Sequence, residues 1–87
     1  MLNEKIMNSL HKESSYHREN IESSKKCVCF YCLESFNPSE IKEWIDKGQT
    51  ALCPRCGIDS VLGDKTEWPL TNKIIKDMQK YWFDGAF

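Results

Sequence analysis

The stretch CFYCLESFNPSEIKEWIDKGQTALCPRCG, residues 29–57, holds two C-x2-C pairs with twenty residues between them: Cys29 with Cys32, and Cys53 with Cys56. A C-x2-C turn aims both thiolates at one point while backbone N–H groups of the turn face the sulfurs. Two such turns complete a tetrahedral S4 shell, which Zn2+ accepts with no geometric preference of its own. The gap lies at the upper edge of the usual spacing for structural zinc. Gly57 follows the second pair, where such a turn needs a positive φ that glycine adopts freely. Leu33 holds the matching place after the first pair, which predicts a less regular first turn. The expected metal ligands are Cys29, Cys32, Cys53 and Cys56, with one structural zinc as cofactor. Rubredoxin-type iron uses the same shell, and spacing alone leaves it open.

Residues 29–57 resemble a zinc ribbon, and Cys53-Pro54-Arg55-Cys56-Gly57 is similar to the second knuckle of zinc ribbons and rubredoxins. The wider string from Glu43-Trp44-Ile45-Asp46 through Thr50-Ala51-Leu52-Cys53-Pro54 to Gly57-Ile58-Asp59-Ser60-Val61-Leu62-Gly63 resembles a family of small uncharacterised bacterial cytoplasmic proteins. The resemblance implies a zinc ribbon fold and carries no activity with it.

Size makes the metal necessary. A chain of 87 residues, 40% hydrophobic, allows one domain, and one this short buries only about 60–65% of its unfolded surface. A lone apolar core then supplies little net stability, so a staple is expected. Five cysteines are an odd number for a disulfide framework, and no apolar segment after the N-terminus resembles an export signal. A reducing, cytoplasmic location is the expectation. No apolar run approaches the ~20 residues of a membrane span.

The fifth cysteine, Cys27, projects to the same side of an extended segment as Cys29. It reads as a half-buried thiol, with the role of substitute ligand as the alternative. His11 and His17 lie upstream in a polar stretch and read as surface residues, since four cysteines already close the site.

The fold class expected is a small, metal-stabilised α+β domain: a zinc ribbon with a helical insert, flanked by N- and C-terminal helices. Residues 1–26 carry Leu2, Ile6, Met7 and Leu10 at helical spacing, then Ser-rich polar positions. Two readings stand there, a frayed helix with a mobile linker, or a helix that orders against a partner. Residues 27–65 form the ribbon. Within it Asn37-Pro38-Ser39-Glu40 has the form of a capping box, and Ile41, Trp44 and Ile45 share a helical face. Gly48 reads as the terminating glycine, giving a helix at about 38–47. Residues 66–87 form the C-terminal section, with Pro69 opening an amphipathic helix over 69–83. Its stripe of Leu70, Ile74, Ile75, Met78, Tyr81 and Trp82 is broad.

An enzyme is not expected, because four thiolates leave no open metal position and no Gly-rich phosphate loop or nucleophile motif is present. Nucleic-acid binding is the alternative reading, by analogy with ribbons of the transcription machinery. Against it, residues 27–68 hold four basic side chains (Lys42, Lys47, Arg55, Lys65) and seven acidic ones, the wrong sign for phosphate. The chain as a whole is near neutral at net -1. The favoured function is a non-enzymatic protein-interaction, adaptor or regulatory module, with a protein partner or homo-oligomer and no membrane or small-molecule substrate. Trp and Tyr dominate interface anchors, so Ile75, Tyr81, Trp82 and Phe83 form the candidate partner surface, with Leu70, Ile74 and Met78 docked inward.

Overall fold

The structure, a computed structural model, describes residues 3–83. Leu2, the first apolar position of the N-terminal pattern, lies outside the described residues. The middle layer is a three-stranded antiparallel sheet in the order β2-β1-β5. Strand β1 (Cys27–Cys29) lies between β2 (Ser35–Phe36) and β5 (Val61–Gly63), with Cys27 opposite both Phe36 and Gly63 and Cys29 opposite Val61. Successive strand residues face opposite sides, and here each side feeds its own core. Cys27, Cys29, Phe36 and Val61 pack with Ile21, Ile41, Ala51 and Cys53. On the other side Leu62 packs with Met7, Leu10, Phe30, Ile75 and Met78.

Helix α1 (Glu4–Lys12) starts at Asn3, whose side chain accepts the N–H groups of Lys5 and Ile6 at 3.0 and 3.2 Å. It buries Met7 and Leu10 against α3 (Asn72–Phe83). The chain then reverses through Tyr16, held at φ +48, into the short α2 (Arg18–Ser23), which buries Ile21 in the opposite core. The described part of residues 1–26 is therefore two docked helices, and the turn between them is tied down. His17 is the reason. Expected on the surface, it is 6% exposed. Its Nδ1 bonds the Glu13 carbonyl at 2.7 Å, and the Ala51 N–H donates to its Nε2 at 3.1 Å. Together these bonds define a neutral ring with the proton on Nδ1. Burial lowers its pKa, against the opposing pull of the Glu13 carbonyl.

The expected insert helix at about 38–47 does not form. Only its first turn is helical, a 3-10 turn at Pro38–Glu40 in which the Asn37 N–H donates to Glu40 Oε2 at 2.8 Å. Ile41 is already extended, at φ -72 and ψ 124. The rest is a hairpin, β3 (Trp44–Ile45) against β4 (Thr50–Ala51), turned by Asp46, Lys47 and Gly48, all at positive φ. The hairpin wins because α2 supplies what a helix would forgo. Arg18 Nη1 donates to the Gly48 carbonyl at 2.9 Å while its guanidinium lies 4.4 Å over the Trp44 ring, and the His17 N–H donates to the Gln49 carbonyl.

The C-terminal helix begins later than Pro69. Thr71 caps it, its Oγ1 accepting the Ile74 N–H at 3.2 Å and its carbonyl the Ile75 N–H at 3.0 Å. The buried face is also turned from the expected one, since Ile75 and Met78 are the fully covered residues and Leu70 and Ile74 are half-buried. Among the described residues no helix is long and apolar enough to cross a membrane.

Candidate metal centre

Cys29 ends β1 and Cys53 follows β4, so the sheet and the hairpin each deliver one knuckle to the same point. Within each knuckle the backbone repeats the same bonds. Leu33 N–H donates to the Cys29 carbonyl at 2.9 Å, as Gly57 N–H does to Cys53 at 2.9 Å; Cys29 N–H reaches the Glu34 carbonyl, as Cys53 N–H reaches Ile58. Leu33 takes φ +65 where Gly57 takes φ +80. The first turn is thus as regular as the second, contrary to expectation, and a leucine bears the left-handed backbone. Such a conformation costs an L-residue about 1–2 kcal/mol. Leu33 offsets it by packing against the core beneath α3.

The four sulfurs of Cys29, Cys32, Cys53 and Cys56 lie within 4.8 Å of one another. Cys29 Sγ and Cys56 Sγ are 3.7 Å apart, as are Cys32 Sγ and Cys53 Sγ. A tetrahedron with ~2.3 Å metal–sulfur bonds has sulfur–sulfur edges of about 3.8 Å, so the residues fit a single tetrahedral ion. Each sulfur also faces the N–H two positions onward. Tyr31 donates to Cys29 at 3.4 Å and Arg55 to Cys53 at 3.3 Å. The N–H of Glu34 serves Cys32, and that of Ile58 serves Cys56. Those donors stabilise thiolate. Burial acts the other way and pushes Cys32 up to about 11 and Cys56 higher still, with the neighbouring Cys29 adding to both. Cys53 is lowered, its burial outweighed by the N–H groups of Cys56 and Arg55. Four thiolates this close need a cation, and the donor set is soft.

Ser60 is the member of the site that the spacing pattern does not reveal. It is 1% exposed, and its hydroxyl lies 3.1 Å from Cys29 Sγ. The signal lay in its being a polar residue just before a strand that buries every position. Cys27 stays outside the cluster. Its thiol is 1% exposed, and burial raises its pKa to about 11, with Asp64 contributing.

The candidate partner surface is placed differently from its sequence reading. Ile75 is 5% exposed and belongs to the core. Tyr81, Trp82 and Phe83 are half-buried and pack on the same core. The Trp82 ring stacks on His11 at 4.0 Å, and Phe83 meets Tyr31 of the first knuckle edge-on at 4.7 Å. Trp82 Nε1–H is buried with no hydrogen-bond partner among the described residues. Among the described residues the large hydrophobic side chains that stand most exposed lie elsewhere, Tyr16 at 72% and Ile45 at 40%. Thr50 relates them: the Tyr16 N–H donates to its Oγ1 at 2.8 Å, and it is the cross-strand partner of Ile45.

Against family models, curated proteins and solved structures alike, this chain finds no match.

Proposed function

We propose that this chain is a non-enzymatic, zinc-stabilised protein-interaction module of the cytoplasm, in which the metal holds the fold and side chains on the outer surface do the work. The observation that carries the reading is the closure of the four-cysteine site. Its four sulfurs lie within 4.8 Å of one another and would fill every position around a tetrahedral ion, whereas a catalytic zinc needs one of them for water. Four thiolates on Zn2+ also leave the centre at about -2, which weakens any Lewis acidity. When bound, the zinc supplies cohesion, joining the end of β1 to the end of the hairpin.

Two features support contact with another protein. Tyr16 and Ile45 are both exposed, on segments that each meet Thr50. Tyr16 itself is held at positive φ, and Ile45 leads directly into the positive-φ turn at Asp46; such conformations persist only where surrounding structure enforces them. Tyr81 and Trp82 retain part of their surface along the α1–α3 seam. The test is affinity capture from the native host with the intact protein, beside Tyr16→Ala/Ile45→Ser and Trp82→Ala variants. Zinc content is measured for each. A partner retained by the wild type and lost by one variant that keeps its zinc supports the reading; capture unaffected by every variant refutes it. A gel shift with duplex DNA at about 0.15 M salt, where charges act over ~8 Å, should show no binding, and tight binding would move the assignment to the nucleic-acid alternative.

A further inference from the structure

Helix α3 does not cover the whole of its side of the sheet. Beside its first turns a half-open cleft of about 390 Å3 runs between the helix and strands β1 and β2. Such a volume is at the small end of the ~300–1,000 Å3 of ligand clefts. Val28, Leu33, Leu70 and Ile75 give it apolar walls, and Lys26 and Lys76 stand among its lining residues.

The polar groups of this cleft are unequally engaged. The Lys76 side chain makes no hydrogen bond or ion pair among the described residues. Lys26 Nζ has only the side-chain oxygen of Asn37, at 3.4 Å. Among the described residues Asp64 is the one carboxylate of the lining, and its Oδ2 accepts the N–H groups of Lys25 and Lys26 at 2.9 and 3.0 Å. Asn72, the first residue of α3, also lines the cleft, which brings the positive end of the helix dipole to it. Two lysines against one ionised carboxylate leave the described lining with an excess of one positive charge, beside a helix N-terminus and an apolar floor.

We propose that this cleft binds a small organic acid, with its apolar body against Val28, Leu33, Leu70 and Ile75 and its anionic head between Lys26 and Lys76. The site is separate from the four-cysteine centre and independent of the protein-interaction reading. A ligand there would bridge strand β1 to the first turns of α3, two elements otherwise joined on this side by side-chain packing alone.

The test uses the full-length, metal-loaded protein labelled with 15N, titrated with hexanoate, hexylammonium and 1-hexanol in separate series. Hexanoate should give saturable amide shifts confined to residues 26–35 and 70–76. The cation and the neutral alcohol should bind at least fivefold more weakly. Lys76→Gln, an exposed position outside the core, should weaken hexanoate at least fivefold with the remaining spectrum unchanged, and Leu70→Ser should do the same through the apolar wall. Equal affinity for the three probes, or Lys76→Gln within twofold of the wild type, or hexanoate shifts centred elsewhere, would each overturn the assignment.

Discussion

Replacing His17 with alanine should destabilise the protein by about 2–3 kcal/mol at pH 7.5, and the loss should shrink as the solution is acidified. The ring bridges two segments that are distant in sequence, accepting the Ala51 N–H and bonding the Glu13 carbonyl. Ala51 is wholly buried. Its N–H would be left without a partner, at a cost of ~1–3 kcal/mol; Glu13 is partly exposed, so water can replace that bond at the loss of ~0.5–1 kcal/mol. The pH dependence follows from burial, which lowers the folded pKa of His17. As pH falls, the unfolded chain takes up the proton first, near ~6.5, which favours unfolding. The stabilisation by His17 is therefore complete above that value and declines as pH falls from there toward the lowered folded pKa. The assay is urea unfolding of wild type and His17→Ala at half-unit steps from pH 5 to 8, with zinc in excess. Taking the difference between the two proteins cancels acid effects on the thiolates, which both share. A difference constant across that range, or one under about 0.5 kcal/mol at pH 7.5, would refute the neutral-bridge account.

Changing Cys29, Cys32, Cys53 or Cys56 to serine should remove the bound metal and unfold the domain, because structural zinc contributes ~10–16 kcal/mol in small modules; Cys27→Ser should retain one metal per chain by elemental analysis. Ser60→Ala, which removes the hydroxyl beside Cys29 Sγ, should leave the fold intact and weaken metal retention about tenfold in competition with a chelator. Gly57 and Gly63 should separate by thermal unfolding. A Cβ at Gly57 meets nothing within 4 Å, so Gly57→Ala should lose only the ~1–2 kcal/mol of left-handed strain. At Gly63 a Cβ would strike Ser24 Oγ, and Gly63→Ala should cost more than Gly57→Ala by forcing α2 off the sheet.

The metal site was legible in the sequence because its information is local: two C-x2-C turns, each closed by bonds between near neighbours in the chain. Misreadings arose where a local signal serves two structures. Gly48 at φ +84 terminates a helix or turns a hairpin equally well, since either needs a left-handed residue. Ile41, Trp44 and Ile45 fit helical spacing, yet the choice fell to Arg18 and His17, remote in sequence, whose bonds hold the hairpin. The same holds for the N-terminal section. His17 reads as a surface residue in a Ser-rich polar stretch, yet it is buried together with Ser14 and Ser24 because backbone carbonyls or N–H groups satisfy them. Polar residues on a packed face read as surface until their partners are known. Leu33 misled in the other direction, its packing being invisible in a rule that expects glycine.

The pairing of α1 with α3 has a consequence in time. The Tyr81 hydroxyl reaches the Glu4 carboxylate across 77 positions, and Met7 and Leu10 share their core with Ile75 and Met78. A ribosome adding ~5–20 residues per second takes roughly 4–15 s to deliver α3 after α1 has been made. The knuckles and the hairpin are complete well before that, so metal capture can precede the docking of α1. During the interval the apolar face of α1 can meet Phe30 and Leu62 of its own chain but lacks Ile75 and Met78. Until α3 is made, the part of that face reserved for Ile75 and Met78 is open to chaperones, to proteases and to the α3 of a neighbouring copy.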